Sequence, residues 1–424
     1  MAGSWIPTCC VNLAEQVAVG RFPAIRYTMV MSLALPIAAR RRGACPSLDA
    51  PMQTGDGLLA RIRIAGGRLD PVRLEQLAAL CGTYGNGIVE ITARGNLQVR
   101  GLTEAAMPAF SSAVRDLTPV ETGLVMDVPP LAGDDPLEFV DPRPLAASIK
   151  AMAAPFAHRL GPKVTVIVDG NGQIGLAALK ADLRFVATGP DTWLLSIGSR
   201  LLGTTHRPLD CAGIVLTALA AVGVEGRATD LSPAEMDNGL DGLFIPSAPV
   251  RQPSSSPIGV FALHDGTATG IALPFGASGW EAIAALADGA WRFGIREFRL
   301  APHHALLAMN ADSSLVDEAA QVGFVTHPAD PRRRISACIG SEGCASGHIA
   351  ARAVAGRLAA SLPASGTLHI SGCDKGCAHP ARADVTLVGR ADGYGLVIDG
   401  RAGDTPRAVL RADQLETALL AGQG

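Results

Sequence analysis

Two stretches of this chain lie on one another without a gap, 202 residues apart. The first is TVIVDGNGQIGLAALKADLRFVATG (165–189) and the second TLHISGCDKGCAHPARADVTLVGRA (367–391). Each is a strand-like run, a Gly turn, a polar linker, an Asp and a second strand-like run. Earlier in the chain LEQLAAL (74–80) matches WEAIAAL (280–286), both with helical period. GIVEIT (87–92) likewise matches GIREFR (294–299), both strand-like. The order is the same in both halves: an α+β unit, then a β-rich α/β unit. A repeat on this scale dictates the architecture before any other feature does. It predicts an α/β (α+β) chain built as a duplication about a pseudo-twofold axis. The expected segments are 44–135 and 136–243 in the first half, then 244–326 and 327–424 in the second. Residues 1–43 are expected to be a poorly ordered extension.

The repeat makes the cysteines informative. Asn171 aligns with Cys373 and Gly175 with Cys377, so the first copy keeps the turn without the thiols. The turn does not need them to fold, and chemistry in one half is what they are for. The nine cysteines are odd in number and unevenly spread, which argues against a disulfide framework. Cys81 follows an apolar helical run and Cys211 precedes another, so both are expected in the core. Cys9 and Cys10 fall in the extension, and Cys45 is left open.

The remaining four read Cys338-x5-Cys344, then Cys373-x3-Cys377, with glycines at 340, 343, 372 and 376. The first pair leads into ASGHIAARAVAGRLAASL (345–362), a helical pattern that places Cys344 near a helix N-terminus. Unpaired N–H groups there can bond anionic sulfur. Four thiolates on two Gly-rich loops suit an iron–sulfur cluster. A structural zinc is the rival, though its sites favour closer cysteine pairs, and plain core cysteines are a third reading.

Charge narrows the partners. The net charge of −3 provides no basic field for nucleic acid. No apolar run reaches the roughly 18 residues a membrane span needs. In TMVMSLALPIAARRRG (28–43) the positive charges follow the apolar run, whereas a secretory signal has them before it. Met29 or Met31 is therefore a candidate start, with residues 1–28 a loose extension, and the expected location is the cytoplasm.

The cysteine spacing and the duplication resemble the siroheme sulfite/nitrite reductase family over roughly residues 44 to 400. RRGACPSLDAPMQTGDGLLARIRI (41–64), ITARGNLQVRGL (91–102) and SGCDKGCAHP (371–380) are closer still to one branch. That branch is the oxygen-dependent one of aerobic cobalamin biosynthesis. The resemblance implies ferredoxin-like units joined to α/β units, and a 4Fe–4S cluster on Cys338, Cys344, Cys373 and Cys377. It also implies hydroxylation of precorrin-3A at the meso carbon between rings A and D, followed by lactone formation. A mononuclear non-haem iron, dioxygen, and NADH delivering electrons through a separate reductase go with that activity. No G-x-G-x-x-G follows a strand here to bind NADH directly. His379, His348 and the pair His303-His304 are candidate iron ligands, and Lys375 could tune the cluster by its charge.

A tetrapyrrole precursor bears many carboxylates around a flat apolar ring. LLARIRIAGG (58–67) alternates like a strand, with Arg61 and Arg63 on one face. GIVEITARGNLQVRG (87–101) reads as a strand kinked at Gly95, carrying Arg94, Asn96, Gln98 and Arg100. Lys163 begins a third strand. Arg offers a fork to carboxylates and Lys a point charge. The resemblance singles out Arg63, Arg94 and Lys163 as substrate-binding, with Asn96 beside them. Three departures matter. Thr165 stands where the reductases have a second Lys, and Asp374-Lys375 replaces their Pro-Asn. No further Arg appears around 120–130. A site stripped of these cations suits the macrocycle as substrate better than sulfite or nitrite on a siroheme. A siroheme reductase and a non-catalytic tetrapyrrole-binding or iron–sulfur sensor are the alternatives.

Overall fold

The computed structural model describes residues 46–248, 256–311 and 314–421. The expected extension (1–43), with Cys9 and Cys10, lies outside these residues, as does Cys45. The first half runs β1 (Met52–Thr54), β2 (Gly57–Ile62), β3 (Arg68–Leu69), α1 (Pro71–Tyr84), β4 (Ile88–Ile91), β5 (Leu97–Leu102) and α2 (Met107–Leu117). It continues through β6 (Val125–Asp127), α3 (Arg143–Ala153), β7 (Thr165–Asp169), β8 (Leu183–Ala187), β9 (Trp193–Ile197), β10 (Arg200–Thr205), α4 (Pro208–Val222) and α5 (Pro233–Gly239). The second half repeats the plan with β11 (Gly259–Ala262), β12 (Thr267–Ala272), β13 (Ala277–Gly279), α6 (Trp280–Gly289), β14 (Phe298–Ala301), β15 (Ala305–Met309) and α7 (Ser314–Gln321). Then come β16 (Ile335–Ala337), α8 (Ala351–Leu358), β17 (Leu368–Ser371), β18 (Ala383–Arg390), β19 (Gly393–Gly400), β20 (Ala408–Leu410) and α9 (Leu415–Ala421).

Sequence chemistry sets these elements. In α1, Asp70 accepts the Arg73 N–H at 2.8 Å and Pro71 occupies the first turn, a standard helix start. Leu74, Leu77, Ala78 and Cys81 then recur at helical spacing and are buried. Cys81 and Cys211 both sit in helices facing the core, as expected. Burial pushes the Cys81 thiol up to about 12, which keeps it protonated and inert.

The duplication is visible in four five-stranded sheets. Two have the orders β6-β7-β8-β9-β10 and β16-β17-β18-β19-β20, each with two parallel pairs followed by two antiparallel ones. The other two are β1-β2-β5-β4-β13 and β11-β12-β15-β14-β3. Each of these borrows its last strand from the opposite half. Ala277 of β13 pairs with Glu90, and Arg68 of β3 pairs with Arg299. The exchange is reciprocal at a constant spacing of 209 residues, as a twofold relation requires. One core lies between the two antiparallel sheets, with Leu74, Leu77 and Cys81 of α1 beside Ile283 and Leu286 of α6. The helices approach closely at Gly82, where a Cβ would lie 2.7 Å from the Trp280 ring.

The α/β repeat keeps the predicted spacing: Val166 pairs with Leu183, and Leu368 with Val385, both 202 residues on. The antiparallel repeat does not. The spacing of 209 moves the helix match by three residues and the strand match by two. Such slips are the ones sequence pattern tolerates, because three residues nearly complete a helical turn and two preserve strand alternation. A second correction concerns 87–101. It is not one kinked strand but the hairpin β4–β5, closed where the Gly95 N–H donates to Thr92 O at 2.9 Å.

Candidate functional site

The two cysteine loops leave the carboxyl ends of neighbouring parallel strands, β16 and β17, the edge where open α/β sheets place ligands. Cys338 follows β16 directly. Cys373 comes two residues after β17, and Cys377 is exposed in the turn beyond it. The Gly372 N–H donates to Cys338 Sγ at 3.0 Å. A Cβ on Gly372 would lie 2.9 Å from Gly340 Cα and 3.4 Å from that sulfur. Glycine at 372 therefore lets the two loops close on each other, and Gly340 turns with φ +67°. Cys344 is not at a helix N-terminus. The expected helix over 345–362 is only α8, and residues 345–350 form a loop. Its fold is set by Gly347, which donates to Cys344 O and packs against Gly340, and by the Ser341 N–H on Ile349 O.

Lys375 joins the loops, donating from Nζ to Ser346 Oγ at 2.8 Å. His348 is exposed and uses its backbone N–H on Gly372 O. His379 Nε2 lies 3.1 Å from Arg382 O. Its ring packs edge-on at 5.6 Å against His369, which sequence reasoning missed. His369 on β17 is fully buried, and neither ring nitrogen has a partner. Burial, with the nearby His379 second, holds it down at about 4. His303 and His304 sit in the left-handed region in the β14–β15 turn, where His304 Nδ1 meets Ile91 O.

Among the described residues no three His, Cys, Asp or Glu side chains, the four cysteines included, gather closely enough to hold a single ion, and no position is assigned to a mononuclear iron. A cubane spans more space than one ion, and the donor chemistry here suits it: four cysteines on two facing loops, glycine at the contact, and an N–H already on one sulfur.

A polar strip runs from these loops across the β2-β5-β4 face. Arg100 forks onto Asp56, at 3.0 and 2.8 Å, and reaches Gly343 O at 3.1 Å, beside Cys344. Burial raises the Asp56 carboxyl, but Arg100 and Thr54 outweigh it and hold it below its usual value. Gln98 bonds Arg61 and Glu90, and Glu90 bonds Arg352 of α8, whose Nε is buried without a partner. Arg63 continues the strip at the end of β2, donating to Gly123 O and Leu124 O.

There the strip opens into a cavity of about 150 Å³ lined by Arg63, Arg94, Asn96 and Asp127, with Leu176 and Leu179 as apolar wall. Three of the four expected substrate-binding residues thus meet. Lys163 does not line it, because it precedes β7, at the amino ends of strands whose carboxyl ends carry the cavity. Arg68 and Arg143 also line it and were not anticipated. Arg94 is engaged, bonded to Asp127 and Lys180 O. Burial raises the Asp127 carboxyl, with Arg94 opposing it.

The first-half counterpart of the cysteine loops is closed by carboxylates. Met126 and Ile335 occupy equivalent places beside β7 and β17, so Asp135 stands where Cys344 does. Asp135 is buried and accepts from Gln173 and the Leu137 N–H. Asn171, the counterpart of Cys373, takes a left-handed turn and donates to Asp169 at 2.8 Å.

The nitrite/sulfite reductase ferredoxin-like half domain matches residues 50–117. The Mycobacterium tuberculosis NirA protein superposes with a TM-score of 0.63 at 19% identity, covering 85% of this chain and 79% of its own. The fold is therefore of the nitrite/sulfite reductase type. A precorrin-3B synthase of Sinorhizobium sp is 38% identical over 421 residues, covering 92% of each chain. The chain belongs to the precorrin-3B synthase family.

Proposed function

We propose that this chain hydroxylates precorrin-3A at the meso carbon between rings A and D, with lactone closure by the ring A acetate, giving precorrin-3B. The observation that carries this reading is the polar strip joining the arginine-lined cavity to the cysteine loops. A polycarboxylate fits the arginine-lined cavity end of this strip, with guanidinium forks holding its rim. Arg63, Arg94 and Asn96 bind carboxylates at the cavity end, and the unpartnered Arg352 Nε offers a further donor along the strip. Because Arg63 and Arg94 already hold internal acceptors, substrate exchanges those bonds for its own. Leu176 and Leu179 supply apolar surface for the ring.

Where the resembling reductases carry a second Lys, this chain has Thr165. Thr165 is buried in β7, its hydroxyl turned to Lys163 O. This favours the macrocycle as substrate over sulfite or nitrite. Cys338, Cys344, Cys373 and Cys377 are the residues to hold a 4Fe–4S cluster, which supplies one-electron transfer when bound. Lys375 ties the two loops and places a positive charge beside them. The electrons come from NADH through a separate reductase, and dioxygen provides the new oxygen atom. No step is assigned to a mononuclear iron. The reaction takes place in the cytoplasm.

The test is turnover of precorrin-3A by anaerobically purified protein under oxygen-18 gas, with NADH and a reductase. One labelled oxygen in the product supports the reading. Viologen-dependent reduction of sulfite or nitrite, with no oxygen incorporated into the tetrapyrrole, contradicts it.

A further inference from the structure

His369 is fully buried, yet both ring nitrogens lack a partner. A neutral imidazole carries one donor and one acceptor, and a buried donor left unmade is destabilising. The ring lies on the β17 face away from Leu368 and Ile370, which point into the other core. On its own side the sheet offers Val388, Val397 and the nearby Ala402, an apolar bed with little to accept an N–H. Thr386 beside it directs its hydroxyl to Gly400 O at 3.0 Å. The other neighbour is the cysteine turn. A Cβ on Gly376 would stand 3.7 Å from His369 Cε1 and 3.2 Å from Ala402 Cβ. The segment between Cys373 and Cys377 thus folds down onto the imidazole, which glycine at 376 permits. His379 packs edge-on rather than as a hydrogen-bond partner, and its Nε2 lies at Arg382 O.

We infer that His369 is a positioning residue for the iron–sulfur cluster, its ring N–H donating to a sulfur of the loaded site from beneath the Cys373–Cys377 turn. This rests on the cluster reading above and adds to it a specific tuning residue. An N–H donated to a cluster sulfur stabilises the more negative, reduced form, so it raises the reduction potential. A side chain that merely fills space there has no such effect.

The experiment compares wild type, His369→Phe and His369→Gln, purified anaerobically. Iron and sulfide are counted, and the potential is read by a dye-mediated titration followed by electron paramagnetic resonance. The expected result is normal iron content with His369→Phe about tenfold harder to reduce, roughly 59 mV lower for one electron. His369→Gln, which keeps a donor, recovers part of the difference. Should His369→Phe fail to load or fold, wild type labelled with ¹⁵N-histidine decides alone: pulsed resonance of the reduced cluster shows a histidine nitrogen coupling. A loaded cluster with the same potential in all three proteins overturns the inference, as does a wild-type cluster with no histidine coupling. Wild type that binds no iron and sulfide overturns the cluster reading and this inference together.

Discussion

The two α/β halves share strand order and register, and they differ at the ends of equivalent strands. In the second half the edge carries Cys338, Cys344, Cys373 and Cys377, with glycine where the loops touch. In the first half Asp135 and Asn171 fill the corresponding places, Asp135 accepting the Leu137 N–H and Asn171 donating its backbone N–H to the Asp169 carboxylate. The same scaffold therefore carries polar side chains bonded within the chain at one edge and four cysteines at the other. The antiparallel sheets differ in the same way. Arg100 ties the first sheet to the cysteine loop at Gly343, while its counterpart 209 residues on is Met309.

The largest expected effect separates the two classes of cysteine. Cys373→Ser abolishes the cluster and, with it, turnover. Cys81→Ala and Cys211→Ala, which alter buried thiols far along the chain, retain full iron and lose only stability, by iron assay beside thermal melting. Loss of iron in either core variant breaks the contrast. Next comes Arg100→Met, which copies the second-half residue into the first. It strands the Asp56 carboxylate, and removing one partner of a buried pair is destabilising by about 3–5 kcal/mol, measured by urea unfolding.

Arg94→Met lowers precorrin-3A affinity roughly tenfold to a hundredfold, from the loss of a charge-assisted bond of about 1.5–3 kcal/mol. It also leaves Asp127 buried without its guanidinium. The double variant with Asp127→Asn restores stability without restoring affinity, in an anaerobic titration. Recovery of both makes Arg94 a structural residue. The smallest effect lies in the closed first-half turn. Burial pushes Glu138 up to about 7, against the Gly133 N–H it accepts. A folded value above the ordinary 4.5 makes its contribution greatest at low pH, falling as pH rises from about 4.5 to about 7. Glu138→Gln flattens that part of the melting curve against pH, and an unchanged slope removes Glu138 from the account.

Much of this was legible in the chain. The gapless repeat specified the α/β register, and the missing thiols in its first copy set the last four cysteines apart from the core ones. That Arg63, Arg94 and Asn96 would come together was legible from strand pattern and resemblance, and they line one cavity. What was not legible depends on contacts across the chain. The exchange of β3 and β13 rests on strands of two and three residues, too short for any periodic signal. The Asp127 partner of Arg94 lies 33 residues away on another sheet. His369 reads as an ordinary strand residue until the turn after it is seen folded over its ring. The helix over 345–362 failed to start early because Gly347 and the loop contacts at Gly340 outweigh local helical pattern.

The central claim is that only the second half carries a cofactor, and that this cofactor is a cluster serving a tetrapyrrole substrate. It is tested most directly by iron, acid-labile sulfide and visible absorption of anaerobically purified wild type. The account predicts about four iron and four sulfide per chain, a broad brown absorption bleached on reduction, and no haem bands. A siroheme spectrum, or protein free of sulfide, would contradict it.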